Sequence, residues 1–184
     1  MTCIVGYVDK LSNKVYIGGD SAGMGSYYDL TIRSDEKVFK NGDYLMGFTS
    51  SFRMGQLLRY SLNPPNLELG EDINKFMCTK FVDAVRQCLK DGGYASKDKE
   101  EESGGTFLVG YKGHLFRVED DYQVAIPADG YVAIGCGDLI AKGAMYVMDE
   151  YFVTKSPETK VRCALLATER FSAGVSGPFV VLSE

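Results

Sequence analysis

Three short stretches carry side chains whose types and spacing could do chemistry. The chain opens "MTCIVGYVDK", with a hydroxyl residue, Thr2, directly ahead of an apolar run. While Met1 is attached, Thr2 is an ordinary residue. Once Met1 is removed, one residue carries a free α-amine and a hydroxyl, a nucleophile joined to its own base. In "GGDSAG", Asp20 stands at the end of a strand-like run among glycines, and in "DEKVF", Lys37 starts another. Alone, each has a plainer reading: Gly-Gly-Asp-Ser is a turn sequence, and a lysine after acidic residues makes a solvated ion pair. The single histidine, His114, lies in "YKGHLF", a hairpin turn, so neither a histidine-based triad nor a histidine-rich metal site is expected.

The elements around these residues must position them. "TCIVGYV" and "KVYIGGD" are apolar, β-branched runs separated by the polar "DKLSN", a hairpin pattern. "KVFKNGDYLMGF" repeats it about Asn41-Gly42, a strong short hairpin signal. The period then changes. Phe52, Met54, Leu57 and Leu58 approach helical spacing after the cap candidates Ser50 and Ser51, and "NPPN" ends that helix. In "DINKFMCTKFVDAVRQCL", Ile73, Phe76, Met77, Phe81, Val85 and Leu89 form one apolar stripe, and an exposed strip there would favour oligomerisation.

Residues 91–105, "DGGYASKDKEEESGG", are charged and flanked by glycine, and read as a mobile loop within a single domain spanning 1–184. Next come a hairpin in "TFLVGYKGHLFRVE" and a strand in "GYVAIGCGD" that turns through glycines into the helix "LIAKGAMYVMDEYF". A last helix opens at Ser156 and Pro157, and the strand "GPFVVLS" closes the chain. Strands, helices, strands, helices and a strand predict an α+β fold in which two antiparallel sheets pack face to face with helix pairs outside.

With 184 residues, 45% of them hydrophobic, the chain suffices for one well-buried domain and is short for two. The net charge of −5, from 25 acidic and 20 basic side chains without a basic tract, argues against a nucleic-acid partner. No apolar run approaches the roughly 20 residues of a membrane span, and the N-terminus lacks a signal peptide's layout. The five cysteines, Cys3, Cys78, Cys88, Cys136 and Cys163, are odd in number and form no C-x-x-C pair, against both a disulfide framework and a zinc site. A cytoplasmic protein with no cofactor, metal or membrane partner is the expectation.

In order along the chain, Thr2, "GGDSAG", "KVF", "GFTSSFRMG" and "AIGCGDLIAKGA" resemble the proteasome β-subunit family of N-terminal-nucleophile hydrolases, above all its bacterial HslV type. The resemblance covers nearly the whole sequence. "GFTSSFRMGQLLRY" and "GVSGPF" are also similar to a branch of such proteins encoded by bacteriophages, which would put the protein in a host cytoplasm. The resemblance implies a four-layer αββα sandwich and a threonine-type peptidase. Thr2 would be its nucleophile, with the α-amine as base, Lys37 the cation favouring the ionised hydroxyl, and Asp20 the partner that keeps Lys37 charged. An α-amine has a reference pKa of about 7.7–8.0, so it is substantially neutral near physiological pH. The oxyanion donor is implied to be a backbone N–H in "GFTSS", at Ser50, or at Gly47 if the register shifts. A helix N-terminus suits that role. Phe48 and Phe52 would flank an apolar pocket for the substrate side chain. Family membership also implies a homo-oligomeric ring acting on peptides or unfolded proteins, served by an AAA+ unfoldase.

Two departures from the family pattern open a second reading. Cys136 occupies the glycine turn where the family commonly has serine, and a thiol is the weaker donor. The family's auxiliary Arg-Asp pair followed by serine and glycines is loosely echoed in "ERFSAGVSGPF", without the aspartate and with Ser176 in the serine's place. The alternative is a catalytically inactive, proteasome-fold structural or interaction protein that keeps Asp20 and Lys37 as a buried ion pair. Amide hydrolysis of a small molecule by the same nucleophile would require a deep closed pocket.

Overall fold

A computed structural model describes residues 1–27 and 29–184. Its central strands are apolar on both faces because both faces are covered. In β1 (Cys3–Asp9), Cys3, Val5 and Tyr7 point one way and Ile4 and Val8 the other, each set into a different hydrophobic cluster. β6 (Tyr44–Phe48) divides likewise, with Tyr44, Met46 and Phe48 against helices and Leu45 against the opposing sheet. A period of two with both sets buried yields the unbroken apolar runs of the sequence.

Two antiparallel sheets result. One has the order β12-β1-β2-β13, with β2 at Lys14–Gly19, β12 at Tyr131–Gly135 and β13 at Val180–Ser183. The other has the order β11-β10-β9-β6-β5, with β5 at Val38–Asn41, β9 at Phe107–Tyr111, β10 at His114–Val118 and β11 at Val124–Ala125. A core of Ile4, Ile17, Val38, Leu45, Leu108 and Ile134 fills the space between them. The outer face of the second sheet is covered by α1 (Phe52–Tyr60) and by a long helix that begins as α2 (Ile73–Phe76) and continues as α3 (Val82–Asp91). The outer face of the first is covered by α4 (Asp138–Tyr151) and α5 (Pro157–Phe171). The architecture is therefore the expected α+β, four-layer αββα sandwich.

Between α2 and α3 the helix widens into a π turn, Met77–Phe81. Met77, Phe81, Val85 and Leu89 recur every fourth residue and all are buried. Four residues overshoot one α-helical turn by about 40°, and the wider turn takes up part of that drift. The stripe faces the core, so the exposed apolar strip considered for this helix is not there; Asn74, Lys75, Thr79 and Asp83 face solvent instead.

Residues 91–105, read as loop, contain regular structure. β7 (Ser96–Asp98) and β8 (Glu101–Ser103) form a small hairpin, turned at Lys99 with φ 56°. Glu102 anchors it to α3 through Arg86, 2.8 Å away. The charged composition hid the strand pairing. A second small hairpin, β3 (Ala22–Met24) with β4 (Leu30–Ile32), follows β2. Among the described residues no helix is long and apolar enough to cross a membrane.

Candidate active site

Antiparallel register gathers the candidate residues at one end of the sandwich. Cys3, at the start of β1, lies opposite Gly135 at the end of β12, and Ile4 lies opposite Gly19 at the end of β2. In the other sheet Val38 pairs with Gly47, and the Phe48 amide donates to the Lys37 carbonyl at 3.1 Å. Thr2, Asp20, Lys37, Ser50 and Cys136 thus come from five separate strand ends.

Asp20 and Lys37 form the centre of this end. Both are buried, and Lys37 Nζ donates to both oxygens of the Asp20 carboxylate at 2.9 and 3.0 Å. The carboxylate also accepts the Cys3 N–H on Oδ1 and the Ala22 N–H on Oδ2, each at 2.9 Å. The pair is therefore bolted to the main chain one residue beyond Thr2. Burial pushes the Lys37 ammonium below the ordinary lysine value, and the Asp20 charge opposes that shift. The plainer readings, a turn aspartate and a solvated lysine, do not hold.

Thr2 is buried while Met1 is half exposed. With Met1 in place the Thr2 nitrogen is an amide, and its hydroxyl donates to the Met1 carbonyl at 2.5 Å. The residue has neither a free amine nor a free hydroxyl in this state. Gly135, at φ 97°, makes room for the strand: a Cβ there would lie 2.2 Å from the Thr2 carbonyl oxygen. Cys136 Sγ follows, donating to that same carbonyl at 3.5 Å and lying 3.7 Å from Ser172 Oγ. Cys3 points away from the site, and burial pushes its thiol up to about 12, which leaves it un-ionised and unreactive.

Ser50 sits between β6 and α1 with φ 65°, a left-handed conformation uncommon for a residue with a side chain. Its hydroxyl accepts the Thr106 N–H at 3.1 Å, which holds the turn. The neighbouring amides are engaged, Thr49 N–H with Thr106 O and Ser51 N–H with Thr49 O. The Ser50 amide has no acceptor among the described residues. Ser51 caps α1 by accepting the Arg53 N–H, so the Ser50 amide stands just ahead of a helix N-terminus. Gly47 is different: it lies within β6, paired to Val38 on one side and Leu108 on the other. A Cβ at Gly47 would lie 2.7 Å from Ile4, so its role is close packing of the two sheets. Thr2, Ser50, Phe48 and Phe52 line one cleft, together with Met1 and Met24.

Ser176 reaches the site through its backbone, its carbonyl accepting the Ser21 N–H at 2.9 Å. Its hydroxyl lies 3.5 Å from Glu169, which also accepts the Gly177 N–H at 2.7 Å. The carboxylate that anchors this turn is that of Glu169, on the last turns of α5. The sequence signal was the acidic residue directly before Arg170. Ser172, the C-cap of α5, gave no local signal at all. Among the described residues no group of three or more His, Cys, Asp or Glu side chains is arranged to hold a metal ion.

No protein-family model matches the chain, and no curated protein matches its sequence. Solved structures do match. BPH from Thiobacillus denitrificans, in complex with epoxomicin, superposes with a TM-score of 0.75 at 19% identity, covering 100% of this chain and 98% of that one. HslV from Trypanosoma brucei gives 0.71 at 20% identity over 99% and 98%. Anbu, the ancestral β-subunit from Yersinia bercovieri, gives 0.62 at 17% over 100% and 81%. The fold of the chain is that of the proteasome-like N-terminal-nucleophile hydrolases.

Proposed function

We propose that this chain is a threonine-type peptidase subunit whose nucleophile, Thr2, is exposed by removal of Met1. The observation that carries the reading is the buried Asp20–Lys37 pair, tied to the Cys3 amide next to Thr2. Burying two charges is costly and is not needed for stability, since a well-packed apolar pair of similar volume serves as well or better. Removing Met1 would release the Thr2 hydroxyl from its 2.5 Å bond to the Met1 carbonyl and create the α-amine in one step. The hydroxyl oxygen then attacks a substrate carbonyl carbon while its proton passes to the α-amine. Lys37 lowers the cost of negative charge on Oγ1, and the Ser50 N–H donates a hydrogen bond to the oxyanion. Collapse breaks the C–N bond, the ammonium returns the proton to the leaving amine, and an ester on Thr2 remains. Water, deprotonated by the same amine, hydrolyses that ester.

A homo-oligomeric ring, peptides or unfolded proteins as substrates, an AAA+ unfoldase partner and a cytoplasmic setting complete the reading. Large apolar side chains on the outer face of α4, Leu139, Tyr146, Val147 and Tyr151, are exposed in the isolated chain and support assembly. The inactive alternative draws on one observation, the seating of Met1: its Sδ and Cys136 Sγ both approach Gly174. Intact-mass spectrometry with an epoxyketone, a threonine-directed electrophile, separates the two. Loss of Met1 followed by a covalent adduct, abolished in Thr2→Ala and Lys37→Ala, is the expected result. A chain that keeps Met1, or loses it and stays unmodified, is the inactive protein.

A further inference from the structure

We propose that Phe52 sets the choice of substrate at this site: its ring confines the cleft beside Thr2 to small side chains by walling off a second cavity behind it. This rests on the peptidase reading above. Two cavities meet at Phe48 and Phe52. The one that holds Thr2 and Ser50 has a volume of about 90 Å³. The other, about 110 Å³, lies beyond the rings and is bounded by Asp35, Gly55, Gln56, Arg59 and Tyr60. The first must admit the scissile backbone as well as a side chain, so little depth remains. Met1 also lines this cleft, whereas the wall of Phe48 and Phe52 is held by contacts with each other, Arg33 and Gly55.

The two rings are not equivalent. Phe48 is 5% exposed and lies against the backbone of α1, where a Cβ at Gly55 would come within 2.2 Å of the ring. It has no room to turn. Phe52, the first residue of α1, is only half-buried. It is held edge-to-face by Phe48, ring centroids 5.6 Å apart, and from above by the Arg33 guanidinium, 3.7 Å from its centroid. Arg33 is itself gripped by Asp35 through two parallel bonds of 2.7 and 2.5 Å. Such a bidentate pair fixes the plane of the guanidinium, and a cation over a ring face holds the ring beneath it. Phe52 is thus the movable partition, and Arg33 with Asp35 is its clamp. Behind it, the second cavity has an aromatic floor and a polar rim that suit a longer side chain.

Lys37 Nζ lies 5.7 Å from the Phe52 centroid, so substitutions at Phe52 also alter the cover of the catalytic cation. The test therefore reads a ratio rather than a rate. Two peptide epoxyketones identical except for the side chain next to the warhead, methyl in one and benzyl in the other, are reacted with protein from which Met1 has been removed, and adduct formation is followed by intact mass. The methyl probe is expected to react at least about tenfold faster, because the cleft lacks depth for the larger side chain and a few carbon atoms of misfit are worth that much. Phe52→Ala should abolish or reverse that ratio, Phe52→Leu should bring it partway, and Arg33→Ala should shift it in the same direction. Equal rates in the parent protein, or an unchanged ratio in both Phe52 variants, overturn the partition and leave the peptidase reading intact. Failure of both probes on the parent protein overturns the peptidase reading, and the partition with it.

Discussion

A lysine that must stay charged inside a protein is a liability, and Lys37 shows how the liability becomes a pH dependence. Burial holds its ammonium below the ordinary value of 10.5, although Asp20 opposes the shift. Between that lowered value and 10.5 the unfolded chain binds more protons than the folded one, so stability rises with pH across the window. On the peptidase reading activity runs the other way, because the Lys37 cation is lost there. The rate of epoxyketone labelling should therefore rise with pH as the α-amine loses its proton, near 7.7–8.0 by its reference value, and fall again before the ordinary lysine range is reached. A rate that stays level up to that range would show that Lys37 does not supply the charge.

Among the elements, the turns around the site do more than join strands. Ser50 is held left-handed by its bond from the Thr106 amide, and strain of this kind costs of order 1–3 kcal/mol and persists only where the surroundings enforce it. Gly135 is the equivalent device on the other side of Thr2. Gly135→Ala combines a disfavoured φ with a backbone contact of 2.2 Å to the Thr2 carbonyl oxygen. It should lower stability by about 1–3 kcal/mol and, by displacing Thr2, suppress epoxyketone labelling out of proportion to the loss of fold. Thermal denaturation and intact mass on the same sample check this. Labelling at the parent rate would mean that the position of Thr2 is set elsewhere.

Over the whole molecule the sandwich is closed differently at its two ends. Tyr7 lies four residues along β1 from Cys3, about 13 Å at strand rise. There a second polar cluster ties both outer helices to the sheet. Lys160 of α5 donates to Asp149 of α4 at 2.7 Å and to Tyr7 at 3.0 Å, and Tyr7 donates to Asp149 at 2.8 Å. Burial raises the Asp149 carboxyl, but Lys160 and Tyr7 outweigh it and hold the group below its ordinary value. Its contribution is therefore present at neutral pH and lost as pH falls through that lowered value. Asp149→Ala leaves Lys160 buried without its counter-ion and should cost about 1.5–3 kcal/mol, several degrees in Tm, with epoxyketone labelling unchanged. A loss of labelling in the folded variant would show that the two ends are coupled.

Local pattern was enough for most elements. The period-two runs of β1, β2, β6 and β9, the Asn41-Gly42 turn, the Ser156-Pro157 helix start and the 73–89 stripe each depend on neighbours a few residues away, so they could be read from the chain. The residue types of Thr2, Asp20 and Lys37 were legible for the same reason. Their relation was not. Whether Lys37 grips Asp20 or solvent depends on the register of β1 against β2 and on the packing of two sheets, contacts between residues 17 apart and more. The same holds for the free amide of Ser50, for the close packing at Gly47, and for the bond from the Gly177 amide to Glu169. The β7–β8 hairpin was masked by charge, because short exposed strands are stabilised by pairing rather than by an apolar face. The capture of the Thr2 hydroxyl by the Met1 carbonyl likewise followed from the backbone conformation at the start of β1, which residue types do not specify.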